Sequence, residues 1–227
     1  MLINLKYGSQ YTKLFKIKLN SNVINGILIF KSLLKYCIEH FKMNFLFVID
    51  ANSSWSVQNA LNYLEFFKKP NISPYVYMIE QPFPIYKAHK QLDKKEFTSW
   101  QVIKKQYNEY NILIYADESI STLSDVQKLK DLFNGVNIKL EKCGGYSHAI
   151  EMVEYCKLHD IKVWIGTMLG TSLNCVLAAQ LLKFIAYTTK QDVIYSDLDG
   201  CLLLTKECQL YKHNNIQWNV QDNSITC

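Results

Sequence analysis

The chain has 227 residues, 49% of them hydrophobic, 20% charged and 13% aromatic, which is an ordinary globular composition and enough chain to bury one large core. A net charge of +5 with lysines scattered along the sequence describes a solvated surface, not the basic stripe of a nucleic-acid binder. No run approaches the ~18 uninterrupted apolar residues that span a membrane, and MLINLKYGSQYTK at the start lacks the apolar core and cleavage site of a signal peptide.

Short β-rich runs alternate with longer helical stretches. The strand candidates in chain order are KLFKIKLN (13–20), FLFVIDAN (45–52), YVYMIEQP (75–82), ILIYADES (112–119), GVNIKLEK (135–142), KVWIGTM (162–168) and VIYSDLDG (193–200). Several are nearly continuous apolar runs, as strands buried on both faces of a parallel sheet are. Residues 22–41, 56–69, 122–134, 145–159 and 171–188 carry apolar positions at helical spacing, with Ser56, Thr122 and Ser147 near the starts. Residues 85–108, rich in Lys and Gln, read as an enlarged loop plus helix. Repeated strand–helix alternation predicts a parallel sheet, and about seven such units favour an incomplete TIM-type (β/α) barrel in a single domain over residues 1–227. Cys37, Cys143, Cys156, Cys175, Cys201, Cys208 and Cys227 form no CxxC pair, so reduced thiols in a cytoplasmic protein are expected and structural zinc is not.

Three strand candidates in succession end in an acid: Asp50 in VIDAN, Glu80 in MIEQP and Asp117 in YADES. Parallel barrel strands open their C-terminal ends onto one face, where three carboxylates repel one another unless a cation neutralises them. Oxygen ligands with no His or Cys beside them suit Mg²⁺. The competing reading, acids that cap the following helices, accounts well for one such residue and poorly for three. In LFKIKL, Phe15, Ile17 and Leu19 alternate with Lys16 and Lys18, so both ammonium groups share one face and point into the barrel if the apolar face packs on helices. Lys139 in VNIKLEK is a second inward lysine, with three strand candidates between it and LFKIKL. Asp197 and Asp199 in SDLDG are spaced to share a face and hold a cation, or to form an Asp-rich turn before Gly200.

KIK (16–18), DAN (50–52), EQPFP (80–84), ADES (116–119), NIKLEKCGG (137–145) and DLDG (197–200) stand in the order of the enolase superfamily, and the match runs from about residue 13 to 204. More narrowly the chain resembles the muconate-cycloisomerase-like branch, and most of all its dipeptide epimerases. The resemblance implies that Asp50, Glu80 and Asp117 are ligands of Mg²⁺, that Lys18 and Lys139 are the two acid/base residues, and that Lys16 lies beside the substrate carboxylate. It implies that Asp197 and Asp199 receive the α-ammonium group of a small dipeptide such as Ala-Glu. The implied reaction is epimerisation: one lysine removes the α-proton, the resulting enediolate is stabilised by the metal, and the other lysine returns a proton to the opposite face.

Relatives carry an N-terminal capping domain and a barrel strand before the KxK strand, and with fifteen residues ahead of Lys16 both are expected to be missing here. Gly170 stands where relatives often place an acid. Two alternatives therefore stay open beside the epimerase: a cycloisomerase or succinylbenzoate-synthase-like lyase using the same lysines and metal, and an inactive truncated remnant. Exposed edges on a seven-stranded sheet also make a homo-oligomer an expectation.

Overall fold

The computed structural model describes residues 12–41, 44–86, 93–189 and 196–203, together with two short strands near the end. These fall into two compact units: the described residues up to Ser119 with Lys128–Asn134, and Ile120–Gln127 with the described residues from Gly135 onward.

In the first unit, strands β1 (Leu14–Lys18), β2 (Leu46–Asp50), β3 (Val76–Glu80) and β4 (Leu113–Ala116) alternate with helices α1 (Val23–His40), α2 (Val57–Phe67) and α3 (Lys94–Asn108). The strands pair in parallel in chain order, with Lys18 opposite Asp50 and Asp50 opposite Glu80. Each helix begins where its sequence supplies an acceptor for an orphan N–H. Asn22 accepts from Asn25 N, Asp93 accepts from Lys95 N, and Ser56 forms a reciprocal capping box with Asn59. The backbone ladder runs one residue past the strands, through Leu19 N to Asp50 O (3.0 Å), Ala51 N to Glu80 O (3.0 Å) and Gln81 N to Tyr115 O (2.7 Å). Those bonds hold the three acid-bearing strand ends level with one another.

The outer faces of β1 and β2 meet α1 and α2 through aromatic rings. Phe30 of α1 packs edge-on against Phe47 of β2 at 5.2 Å and against Phe66 and Phe67 of α2 at 5.7 and 5.4 Å, and Phe15 of β1 lies 6.2 Å from Phe47. Such pairs add to an already large burial of apolar area. Once Phe15 and Ile17 are committed to this side, Lys16 and Lys18 must leave from the other.

In the second unit, β5 (Gly135–Ile138), β6 (Lys162–Gly166) and β7 (Ser196–Asp197) again pair in parallel and in order. They alternate with the short α5 (Leu140–Cys143), α6 (Tyr146–Leu158) and α7 (Ser172–Thr189), and α4 spans Leu123–Leu129. The strand expected over 135–142 is shorter, because the ladder ends at Ile138 and Leu140–Cys143 closes a helical turn stopped by Gly144 in the left-handed region (φ 87). Gly145 (φ 101) caps α6, which places Ser147 inside its first turn. β8 (Gln217–Asn219) and β9 (Ser224–Thr226) form an antiparallel pair. Residues 193–195 of the last expected strand, 87–92 of the enlarged loop, Cys208 and Cys227 lie outside the described residues.

Cys37, Cys143, Cys156 and Cys175 are free thiols. Burial pushes Cys37 up to about 11 and Cys156 up to about 12, so both are held as inert thiols. Among the described residues no helix is long and apolar enough to cross a membrane.

The aromatic junction sets the first test. Phe30→Ala removes a fully buried ring and lowers stability by about 3–5 kcal/mol, whereas Leu28→Ala on the exposed face of the same helix changes it by less than about 0.5 kcal/mol. Urea denaturation compares the two, and equal losses would contradict the packing described.

Candidate functional site

Asp50, Glu80 and Asp117 stand at the C-terminal ends of β2, β3 and β4 and all three are buried. Buried carboxylates need a cation or hydrogen-bond donors. Lys16 supplies the first: its Nζ lies 2.9 Å from Glu80 Oε2 and 3.3 Å from Asp50 Oδ2. Lys18 Nζ reaches the same Asp50 oxygen at 3.8 Å, with 72% of its side chain exposed against 25% for Lys16. The alternation in LFKIKL therefore sends both lysines to the acid-bearing side, but Lys18 stands open at the strand ends, not enclosed among the strands.

The other Asp50 oxygen is fixed by the loop that follows. Asn52 N donates to Asp50 Oδ1 at 2.9 Å, and the Asn52 amide donates onward to Glu118 Oε1 at 3.2 Å. Asn52 and Ser53 adopt left-handed backbone (φ 44 and 62) to turn the chain back there, a conformation that asparagine tolerates. Asp50 thus presents one oxygen to the backbone and one to the lysines.

The electrostatics are unbalanced. Burial pushes the Glu80 carboxyl from its ordinary 4.5 up to about 7; Lys16 pulls it down, and the neighbouring Asp50 and Asp117 charges push it up again. The Lys16 ammonium does not offset the burial of Glu80, and the two neighbouring acids add to it. The donor set, hard oxygens at three strand ends with surplus negative charge, fits a divalent cation such as Mg²⁺. Among the described residues, however, no three His, Cys, Asp or Glu side chains converge on one point at ligand spacing, so an ion would have to draw the carboxylates together.

Lys139, just past β5 in the second unit, is buried. Its stem crosses β6 at Gly166, where a Cβ would stand 3.0 Å from Lys139 Cε and 2.6 Å from Asn137 Oδ1. A side chain at 166 would push Asn137 aside and crowd the lysine stem. Asp197 ends β7 and is half-buried, with its carbonyl accepting from Thr167 N at 3.0 Å. Asp199 lies beyond that strand and is exposed, so the period-two argument that paired the two acids stops at Asp197. A Cβ at Gly200 would meet Met168 O at 2.6 Å, so the start of the 3-10 turn Gly200–Leu203 lies close against the segment after β6.

Residues 30–221 match the enolase C-terminal domain-like family, and the chain belongs to that family. Its fold is the family's TIM-type (β/α) barrel architecture, present here as seven parallel strands with helices. An enolase superfamily member of Dictyostelium discoideum is 37% identical over 218 residues, covering 93% of this chain and 48% of the relative. An L-Ala-D/L-amino acid epimerase of a Maribacter species is 31% identical over 194 residues, covering 86% and 48%. The solved dipeptide epimerase of Enterococcus faecalis, complexed with Mg and the dipeptide L-Leu-L-Tyr, superposes with a TM-score of 0.70 at 22% identity, covering 99% of this chain and 55% of that one. The chain spans about half the length of the curated relatives it matches.

The raised Glu80 value has a defined sign. Between its ordinary 4.5 and about 7 the folded chain binds a proton that the unfolded chain has released, so this group's contribution to stability is lost as pH rises through that window. Metal-free chain should therefore lose urea resistance between about pH 5 and about pH 8, and Glu80→Gln, which cannot ionise, should lose less over the same interval. An equal or larger loss in the variant would contradict the assignment.

Proposed function

We propose that this chain carries the acid/base residues of a Mg²⁺-dependent dipeptide epimerase. The observation that carries the reading is the ammonium of Lys16 lying between Asp50 and Glu80, with Lys18 against the same Asp50 oxygen. That is a lysine pair built into a buried carboxylate cluster at strand ends, where a carboxylate substrate and a cation can be held together. The epimerases among the relatives support the reaction, and the magnesium and dipeptide in the E. faecalis structure support the cofactor and the substrate class.

In this proposal Asp50, Glu80 and Asp117 hold the ion, which when bound supplies positive charge to the substrate carboxylate. Lys16 lies beside that carboxylate and adds a second positive charge. Lys18, exposed at its tip, removes or returns the α-proton on one face, while Lys139 does so on the other. Gly166 keeps the path of the Lys139 stem clear. Asp197 and Asp199 receive the α-ammonium of the dipeptide, a group that neither a muconate nor a succinylbenzoate substrate possesses. The free thiols of Cys37, Cys143, Cys156 and Cys175 agree with a cytoplasmic setting.

Exchange of the substrate α-proton in D₂O with Mg²⁺, followed by NMR on L-Ala-L-Glu and L-Ala-D-Glu, tests the two-base assignment. The chain should exchange and interconvert both epimers. Lys18→Ala should abolish exchange from one epimer and retain some from the other, and Lys139→Ala should show the reverse preference. Either variant interconverting both epimers at near wild-type rate would overturn the two-base mechanism, and a wild-type chain that exchanges neither would overturn the activity.

A further inference from the structure

We infer that Gln81 and Ser119 are positioning residues that set the spacing and direction of the Glu80 and Asp117 carboxylates. The inference takes from the proposed function only that these two acids share a cation.

Gln81 directly follows Glu80, is fully buried, and uses the whole hydrogen-bonding capacity of its amide. Its Oε1 accepts from Asp117 N at 2.8 Å and from Ser119 N at 3.2 Å. Its Nε2 donates to Ser119 Oγ at 2.8 Å and to Phe83 O at 3.1 Å. Two N–H donors on one side and a carbonyl on the other allow only this orientation of the amide. Ser119 Oγ in turn accepts from Tyr86 N at 3.0 Å, so one buried bracket joins the segment after β3 to the segment after β4. Within that bracket the backbone N–H of one candidate ligand, Asp117, is held by the side chain next to the other, Glu80.

The backbone at Gln81 carries a cost that local preference does not explain. Its φ is +40, a left-handed conformation sparsely used by side chains of this size, and it precedes Pro82, which favours extended backbone. Strain of about 1–3 kcal/mol persists only where the surroundings over-determine it. Here they do: Gln81 N donates to Tyr115 O at 2.7 Å and Gln81 O accepts from Ser53 N at 2.8 Å, so its main chain is tied to the turn after β2 as well as to β4. The left-handed turn sends the amide sideways under Asp117 while the Glu80 carboxylate stays with Lys16. A residue serving the core alone has no need of this conformation.

Gln81→Met keeps length and neutrality and removes all four side-chain bonds; Ser119→Ala removes one arm. Asp93→Ala, which deletes the α3 N-cap, controls for lost stability alone. The measurements are Mn²⁺ affinity by isothermal titration and amide hydrogen exchange without metal. Gln81→Met should weaken Mn²⁺ binding about 10–100-fold, the range seen when a group orienting a metal ligand is lost, and Ser119→Ala should weaken it less. Asp93→Ala should lower the melting temperature and leave affinity within about twofold. In Gln81→Met the amides of Asp117 and Ser119 should exchange at least about tenfold faster while Ile114 stays protected. A folded Gln81→Met with wild-type affinity would overturn the inference; should that variant not fold, wild-type affinity in Ser119→Ala would do so. If the wild-type chain binds no Mn²⁺, the metal reading fails by itself, and unchanged exchange at Asp117 and Ser119 would then overturn the bracket.

Discussion

The first unit is organised around the cost of holding three acids at adjacent strand ends out of water. A buried carboxylate is tolerated only with a cation or donors at hand, and the molecule provides both in layers. Lys16 lies between Asp50 and Glu80, a backbone N–H pins the far oxygen of Asp50, and the Gln81 amide holds the main chain at Asp117. Even so the Glu80 carboxyl is pushed up, first by its burial and then by the neighbouring Asp50 and Asp117 charges. A structure that served stability alone would replace such a cluster with packed apolar side chains at little cost.

The remainder of this unit works to keep that cluster in place. Phe15, Phe30 and Phe47 lock β1 and β2 onto α1, and by doing so they oblige Lys16 and Lys18 to emerge on the acid side. Trp55, stacked on Tyr63 at 4.3 Å, donates its indole N–H to Leu19 O and takes Pro82 O on its own main-chain N–H, so the loops after β1, β2 and β3 share one buried anchor. Strand ends tied together by these bonds give the precision that acid/base chemistry demands.

Much of this was legible in the sequence, and the exceptions have physical causes. The strands over VIDAN and MIEQP end at their acids, and that over YADES one residue before Asp117, because apolar runs bounded by a polar turn leave little choice of register. GVNIKLEK was read as strand through residue 142, but the two glycines at 144 and 145 allow a left-handed stop, and a helical turn forms before them. Asp197 ends the paired part of β7 and Asp199 lies two residues beyond it, where strand periodicity no longer fixes the side a residue takes. Gln81 and Gly166 escaped notice for a different reason. Gln81 acts through a backbone conformation that its place before Pro82 argues against, and Gly166 acts through the absence of a side chain. Neither leaves a mark in hydrophobic pattern or charge. The enolase-type order of motifs, by contrast, was readable because each motif sits at a strand end where chemistry and fold constrain the same residues.

The central question is whether the three carboxylates take one ion. A crystal structure of the chain soaked in Mn²⁺, with anomalous scattering recorded at the manganese edge, decides it. The account predicts a single strong peak with oxygens of Asp50, Glu80 and Asp117 drawn to near 2 Å from it and Lys16 Nζ still beside the cluster. A peak bound elsewhere at saturating Mn²⁺, or these three side chains left unconverged with no ion among them, would contradict it.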